Sequence, residues 1–193
     1  MLPGGSQSHL SNDTPDTNTP RPGIINLDKT KKTIVLAPTT TWDNKHWTIQ
    51  GWVDVLNAFK NECNIIITAT EKEKVLTSKI LSSIENSNII DLSGKTNLSD
   101  IVYIAKNSDL VISPDSGSAH IAWASNKAKI ITLFFATSKN RTAPYGDGYF
   151  SVNAQTTCSP CMKKHCRLKN EKNKCIKTIN PEEIINIVKK VLQ

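Results

Sequence analysis

The sequence predicts an α/β fold built on a parallel, doubly wound sheet. From Thr33 onward, short apolar runs alternate with stretches whose apolar residues recur at helical spacing, and this alternation is typical of such a sheet. The 193 residues, 38% of them hydrophobic, are enough for one domain with a substantial core. No apolar run approaches the ~20 residues of a membrane-spanning helix, and the first residues do not form a signal peptide. We therefore expect neither a membrane-spanning nor an exported protein.

Residues 1–31 differ from the rest of the chain in composition. Proline, glycine and small polar residues predominate, and apolar residues are few. Such a composition cannot bury a core, so we expect a disordered tail or the remnant of a linker. The folded domain is expected over residues 32–193.

Five strands are predicted, each a short apolar run followed by polar residues or proline. They cover residues 33–37, 64–68, 89–92, 110–112 and 129–134.

Helices are predicted between the strands. Apolar side chains share one helical face over residues 49–59 and over 74–84. Asn97 with Asp100 forms a capping box for a helix that runs to about residue 107. A short helix over 119–125 follows the fourth strand, and the last helix begins at Asn180, with proline and two acids in its first turn.

The loop after the first strand, residues 38–47, carries three threonines and Lys45. Hydroxyl groups, backbone N–H groups and a lysine at a strand end suit a phosphate or a diphosphate. The glycines of a Walker A loop are absent. The alternative is a polar connection whose two tryptophans pack on the core.

The loop after the fourth strand reads Ser-Pro-Asp-Ser-Gly-Ser-Ala-His over residues 113–120. It places Asp115 at the end of a strand, while Gly117 lets the backbone approach a ligand at the start of a helix. His120 would face the same crevice, because ligands bind at the carboxyl ends of strands in this architecture. The alternative is a helix cap with a core histidine.

Three segments in this order resemble the heptosyltransferases of glycosyltransferase family 9: Thr-Thr-Trp-Asp-Asn-Lys-His-Trp (40–47), Pro-Asp-Ser-Gly-Ser-Ala-His (114–120) and Arg-Thr-Ala-Pro-Tyr-Gly (141–146). The resemblance covers about residues 33–192. It implies the Rossmann-like, nucleotide-sugar-binding C-terminal half of a glycosyltransferase-B fold. It also implies a cytoplasmic enzyme that transfers heptose from ADP-heptose to the inner core of lipopolysaccharide.

The resemblance also implies roles for individual residues. The loop after the first strand would hold the donor diphosphate, and Lys45 would neutralise charge on the departing ADP, so that no metal or cofactor is required. Glu71 stands where a family acid contacts the adenosine, and Ser116 replaces the threonine of the family's Asp-Thr-Gly-x-x-His motif. The implied donor-binding residues are Thr40, Thr41, Lys45, Glu71, Asp115, Ser116, Gly117 and His120.

The family's catalytic base is an aspartate of an N-terminal domain, and nothing in this sequence matches it. That carboxylate is needed to deprotonate the acceptor hydroxyl. We therefore expect no catalytic base in this chain, and donor binding rather than turnover by the chain alone.

Four cysteines follow one another closely, at Cys158, Cys161, Cys166 and Cys175. Four thiolates in such a segment suit tetrahedral zinc, and His165 could also serve as a ligand. Free thiols, the default in a cytosol, and disulfides are the alternatives. Several family members have a similar loop, which favours a structural role. The fifth, Cys63, is expected in the core.

The segment from Cys158 to Lys177 also contains seven Lys or Arg residues and one acid, and the whole chain carries a net charge of +7. We call residues 156–177 the Cys/Lys loop. It could form a zinc-knuckle-like, non-catalytic nucleic-acid-binding module, although it has no aromatic residue for base stacking. The resemblance favours a phosphorylated glycolipid acceptor and peripheral contact with the anionic inner membrane, without nucleic acid. A solvated loop, or a remnant that binds nothing, is the plainer alternative.

Overall fold

The computed structural model describes residues 25–85 and 88–193 and contains a six-stranded sheet in the order β3-β2-β1-β4-β5-β6. Every pair of neighbouring strands is parallel, which confirms the predicted fold class. The strands are β1 Thr33–Leu36, β2 Asn64–Ile67, β3 Ile89–Asp91, β4 Leu110–Pro114, β5 Lys129–Phe134 and β6 Tyr149–Asn153. The sequence pattern did not predict β6.

Six α-helices connect or follow these strands within the described residues: α1 Ile49–Phe59, α2 Lys74–Leu81, α3 Leu98–Lys106, α4 Gly117–Ala124, α5 Lys139–Thr142 and α6 Pro181–Leu192. Short 3-10 turns lie at Asp43–Lys45, Glu71–Glu73 and Lys174–Lys177. Helix α2 ends at Leu81, three residues earlier than the spacing predicted, and the short helix α5 was not predicted.

The helices form a layer on each face of the sheet. Along β1, Ile34 and Leu36 face α1, α2 and α6, while Val35 faces α3 and α4. Because both faces are covered, the central strands are mainly apolar, as is usual for a parallel sheet. Trp52 of α1 is among the largest side chains that are fully buried in the first layer.

The predicted starts of α3 and α6 are confirmed by side-chain caps, whereas α4 begins at Gly117, two residues before its predicted start. The side chain of Asn97 accepts a hydrogen bond from the backbone N–H of Asp100, and the carboxylate of Asp100 accepts one from the N–H of Asn97. Asn180 caps α6 in the same manner, through the N–H of Glu182. These caps fix where the helices begin, including the start of α3 beside the cavity described below.

Residues 25–31 are the part of the N-terminal segment that the structure describes. Ile25 and Leu27 pack against the α3–α4 layer, and Asp28 exchanges hydrogen bonds with the side chain of Asn64 at the amino edge of the sheet. Residues 1–24 lie outside the described residues, so the disordered tail remains a prediction. Among the described residues, no helix is both long and apolar enough to cross a membrane.

The sheet places a crevice at the carboxyl ends of β1 and β4. These strands are neighbours although they are not consecutive in the chain, and the helices that follow them, α1 and α4, lie on opposite faces of the sheet. The loops after the two strands therefore separate and leave room for a ligand between them.

Candidate functional site

A cavity of about 410 Å³ opens at this crevice, at the carboxyl ends of β1, β2 and β4. A volume of this size is within the range that holds a small-molecule ligand. Its lining combines many hydroxyl groups with one lysine, one carboxylate and a few apolar side chains. Residues of the lining include Thr39, Thr40, Thr41, Lys45, Thr68, Thr70, Glu73, Thr96, Asn97, Leu98, Ile101, Ser116, Gly117, Ser118 and Ile121.

Lys45 is the cation of this cavity, and it is only 8% exposed. Its amine donates a hydrogen bond of 2.5 Å to the backbone carbonyl of Asp115 and lies 3.7 Å from the carboxylate Oδ2 of the same residue. The amine also lies 5.0 Å from the centre of the Trp42 ring. Burial lowers the pKa of Lys45 from its usual value, and the charge of Asp115 opposes this effect. A partly desolvated ammonium attracts a phosphate more strongly than an exposed one does.

Asp115 joins the two predicted loops. It follows β4 directly, is 5% exposed, and its N–H donates to the carbonyl of Leu133 in the next strand. Its second carboxylate oxygen lies 3.8 Å from Nε2 of His120. The structure thus brings Lys45, Asp115 and His120 together, as the sequence analysis expected. Asp115 and His120 are not among the residues that line the cavity, and the side chain of His120 is half exposed.

The amino end of α4 opens into the cavity. Ser116 precedes the helix, its hydroxyl lies 2.8 Å from that of Ser113, and the first turn contains no acidic residue. The positive end of the helix dipole therefore favours an anion at this position. A Cβ at Gly117 would meet no protein atom within 4 Å, so protein packing does not require glycine at this position.

The threonines after β1 line the same cavity. Thr40 is buried, and its backbone N–H and carbonyl both lie within hydrogen-bond distance of Nε2 of His46. Thr41 is exposed on the cavity side. The structure thus brings Thr40, Thr41, Ser116 and Gly117 together in the lining of one cavity.

Glu71 lies outside the lining of this cavity. Its exposed carboxylate is 3.8 Å from the amine of Lys74 and lies against Gly94, where a Cβ would be 1.9 Å from Oε2. Glu73 lines the cavity instead, and its Oε2 accepts hydrogen bonds from the hydroxyls of Thr39 and Thr70. Sequence reasoning missed Glu73, although the spacing of Thr70 and Glu73 is that of a capping box. The adenosine contact of Glu71 remains a prediction.

The four clustered cysteines lie in the loop between β6 and α6, and Cys175 is buried in the core. The pKa of the Cys175 thiol is raised to about 11. Burial is the main cause, and the charges of the other three cysteines of the loop add to it. All five cysteines are free thiols, and Cys63 lies in the core as expected. Within the described residues, no three His, Cys, Asp or Glu side chains are arranged to hold a metal ion.

The Cys/Lys loop packs against the turn that carries Lys45, which the sequence pattern did not predict. Nδ2 of Asn44 donates a hydrogen bond of 2.6 Å to the carbonyl of Lys163, and Nδ1 of His165 lies 3.8 Å from the carboxylate of Asp43. Just beyond the loop, the carbonyl of Ile179 accepts a hydrogen bond from the indole of Trp47. The loop therefore contacts the turn that carries Lys45, although none of its residues lines the cavity.

The basic side chains of the Cys/Lys loop face solvent. Lys174 pairs with Glu171 at 2.7 Å. The other lysines and the arginine of the loop make no ion pair with any residue in the described part of the chain. They are Lys163, Lys164, Arg167, Lys169, Lys172 and Lys177.

Residues 4–172 match the sequence model of glycosyltransferase family 9 (heptosyltransferase). The chain belongs to glycosyltransferase family 9. This match confirms the resemblance on which the donor-site residues were chosen, and it makes the protein a glycosyltransferase by family.

Two curated members of the family show how much of a whole enzyme this chain represents. It is 32% identical to the lipopolysaccharide core heptosyltransferase OpsX of Haemophilus influenzae over 124 residues, which is 63% of this chain and 35% of OpsX. It is 30% identical to lipooligosaccharide heptosyltransferase 2 of Campylobacter jejuni serotype O:2 over 168 residues, 84% of this chain and 52% of that protein. The family 9 chain thus spans between a third and about half the length of these relatives.

A solved structure of a heptosyltransferase supports the predicted fold. The chain is similar to the ADP-heptose lipopolysaccharide heptosyltransferase II of Escherichia coli, with a TM-score of 0.71 at 16% identity. The similarity covers 86% of this chain and 47% of that one. The predicted fold, one half of a glycosyltransferase-B architecture, is confirmed.

Proposed function

We propose that this chain is the donor-binding part of a heptosyltransferase that moves heptose from ADP-heptose to the inner core of lipopolysaccharide. The observation that carries the proposal is the buried ammonium of Lys45, which donates to the carbonyl of Asp115 just before α4 and lines, together with the first residues of that helix, a cavity of about 410 Å³. Family membership and the names of the relatives support the sugar and the acceptor.

In this proposal the diphosphate of the donor lies between the two loops. Thr40 and Thr41 donate hydrogen bonds from one side, and the N–H groups at the start of α4, near Ser116 and Gly117, donate from the other. Asp115 and His120 lie next to the phosphates and the sugar. The distant end of the cavity, with Leu98 and Ile101, would receive the apolar face of the base.

Lys45 has the main electrostatic role. When the bond between the anomeric carbon and the phosphate oxygen breaks, negative charge grows on the departing ADP. The ammonium is already held in place by the carbonyl of Asp115, so it stabilises that charge without rearranging. This chemistry requires no metal or cofactor. The base that takes the proton from the acceptor hydroxyl is proposed to lie outside this chain.

Calorimetric titration of the purified protein with ADP, with UDP as the nucleotide control, tests the proposal. We expect ADP to bind and Lys45→Ala to abolish the binding. Lys31→Ala is the matched control, because the Lys31 amine also donates to a backbone carbonyl, that of Asn61, but at the amino edge of the sheet. Wild-type protein that binds neither nucleotide would contradict the proposal.

We also propose that the protein is cytoplasmic and that its Cys/Lys loop contacts the anionic inner membrane, where a phosphorylated acceptor would be found. Each basic residue near such a surface contributes about 1 kcal/mol. The absence of aromatic side chains from Cys158 to Lys177 argues against nucleic acid as the partner.

Binding to vesicles tests this contact. The triple variant Lys163→Gln, Lys164→Gln and Lys169→Gln should bind phosphatidylglycerol vesicles more weakly than wild type at low salt. The control replaces three exposed lysines away from the loop, at positions 79, 127 and 190, with the same change in charge. Equal binding by both triple variants would show that only net charge matters.

A structural zinc ion in the Cys/Lys loop is the remaining part of the proposal. Cys158, Cys161, Cys166 and Cys175 are a donor set that suits zinc, and because no three of the described side chains are arranged to hold a metal ion, binding would require the loop to rearrange. Metal analysis of the untagged protein and of Cys161→Ser checks it. We expect one equivalent of zinc in the wild type and a clear loss in the variant, and metal-free wild-type protein with free thiols would contradict it.

A further inference from the structure

We propose that Asn44 is a positioning residue of the donor site: its buried amide links the turn that carries Lys45 to the Cys/Lys loop, and this link holds Lys45 at the cavity. The inference rests on the proposed donor role of Lys45. Asn44 is adjacent to Lys45 in the 3-10 turn and is only 1% exposed.

The turn makes few hydrogen bonds of its own. Inside it, the N–H of Lys45 donates to the carbonyl of Trp42 at 3.0 Å, and Trp42 supplies no side-chain cap. A single turn of 3-10 helix is a weak local structure, because its hydrogen-bond geometry is poor. Its position must therefore come from contacts with other segments.

Besides the hydrogen bond from the Lys45 amine to the carbonyl of Asp115, these contacts come from residues 163–179. Asn44 donates to the carbonyl of Lys163, Trp47 donates to that of Ile179, and Asp43 lies near His165. The first of these is the shortest, at 2.6 Å, and it is partly buried, whereas Asp43 and His165 are both largely exposed. A hydrogen bond removed from water contributes more than an exposed ion pair.

The amide of Asn44 acts through its N–H group. Its oxygen Oδ1 is buried and has no hydrogen-bond partner among the described residues, so the bond to Lys163 is the polar contact that the structure assigns to this side chain. Leucine has a similar shape and no donor. Asn44→Leu therefore removes the link while keeping the volume of the side chain, and Asn44→Ala removes both.

Lys163 itself takes part only through its backbone. Its side chain is exposed, and the carbonyl is presented to Asn44 by a loop whose nearby residues are fixed to the sheet, since the N–H of Met162 donates to the carbonyl of Ala136 at 2.7 Å. The hydroxyl of Ser159 also donates to the carbonyl of Phe135. The acceptor for Asn44 is thus held by the segment that directly follows β5.

Two measurements test the proposal, on wild type, Asn44→Leu and Asn44→Ala. The first is ADP affinity by calorimetry from neutral to alkaline pH. We expect affinity to fall about five- to tenfold in both variants, and its alkaline loss to move to higher pH because Lys45 is less buried. The second is the rate at which a water-soluble acetylating reagent modifies Lys45, followed by mass spectrometry with exposed Lys79 as internal reference. This rate should rise several-fold.

The matched control is Asn64→Leu. Asn64 also uses a side-chain amide to fix a loop, through the carbonyl of Asp28, but at the opposite edge of the sheet. It should change neither readout. The proposal would be overturned if Lys45 in Asn44→Leu were acetylated at the wild-type rate. It would also be overturned if Asn64→Leu changed ADP affinity and the acetylation of Lys45 as much as Asn44→Leu does. If wild-type protein does not bind ADP, the proposed function fails, but the acetylation rates still decide whether Asn44 positions Lys45.

Discussion

At the scale of single residues, the site depends on one buried cation. Lys45 is held between Asp115 and the ring of Trp42, and burial lowers its pKa from the ordinary 10.5. A lysine kept out of water in this way is ready for an anion and loses its proton more easily than a surface lysine.

ADP binding should therefore weaken as the pH rises through the lowered pKa of Lys45. The phosphate binds the ammonium form, and that form disappears at a lower pH than it would for an exposed lysine. Calorimetry at successive pH values measures the effect. Lys45→Arg, which stays charged throughout, should bind ADP with little dependence on pH in the same range, and a wild-type affinity that is constant up to pH 10.5 would contradict the prediction.

Gly117→Ala should lower ADP affinity without lowering the free energy of unfolding. Glycine is a poor helix residue, the new Cβ would meet no protein atom, and the unfolding free energy should stay the same or rise by up to about 1 kcal/mol. The methyl group would enter the space proposed for the donor phosphate, so ADP affinity should fall. Urea denaturation and calorimetry on the same preparation check both effects. Wild-type ADP affinity in the alanine variant would place the phosphate elsewhere.

At the scale of elements, the starts of the helices were predictable because their caps are local. Asn97 and Asp100 are three residues apart and form the capping box that their spacing indicated. The loops at the carboxyl ends of the strands were predictable for another reason. Strands and helices alternate along the chain, so the loops that follow parallel strands all lie at the same edge of the sheet.

Asn97→Ala should destabilise the protein by about 1 kcal/mol, because the N–H of Asp100 in the first turn of α3 loses its acceptor. Asn107→Ala is the comparison at the other end of the same helix, where the side chain only donates to the carbonyl of Tyr103. Urea denaturation of both variants measures the difference. Equal losses of unfolding free energy in the two variants would contradict a specific stabilising effect of the Asn97 cap.

Other elements could not be predicted from the sequence, for physical reasons. Strand β6 lies at the edge of the sheet and mixes exposed and half-buried residues, so its apolar pattern is weak. Glu71 and Glu73 are two residues apart, and only the fold of the turn decides which one lines the cavity. The contact between Asn44 and Lys163 joins residues 119 positions apart and leaves no local pattern.

At the scale of the whole molecule, the buried Cys175 thiol and the half-buried Tyr149 phenol both contribute to stability at alkaline pH. The pKa of Cys175 is raised by burial to about 11 and that of Tyr149 to about 12. Both groups ionise more readily in the unfolded chain than in the folded one. Their contribution is complete below the unfolded pKa values, 9.0 for the thiol and 10.0 for the phenol, and it is lost as the pH rises through the folded ones.

In the metal-free protein, the urea midpoint should therefore fall between pH 9 and pH 11 more steeply in wild type than in Cys175→Ala. The alanine variant loses some packing at every pH but lacks the thiol that must ionise on unfolding. Cys161→Ala, which removes a less buried thiol, is the control and should keep the wild-type slope. Parallel curves for wild type and Cys175→Ala would contradict this account.

Two of the hydrogen bonds that fix the Lys45 turn can form only late in the synthesis of the chain. The turn directly follows the first strand, yet its acceptors at Lys163 and Ile179 lie 119 and 132 residues further along. A chain that leaves the ribosome from its N-terminus can pair β1, β2 and β4 long before these acceptors emerge. The proposed donor site is therefore among the last parts to form, and a nascent chain interrupted before Lys163 would contain most of the sheet while the Lys45 turn lacked these two hydrogen bonds.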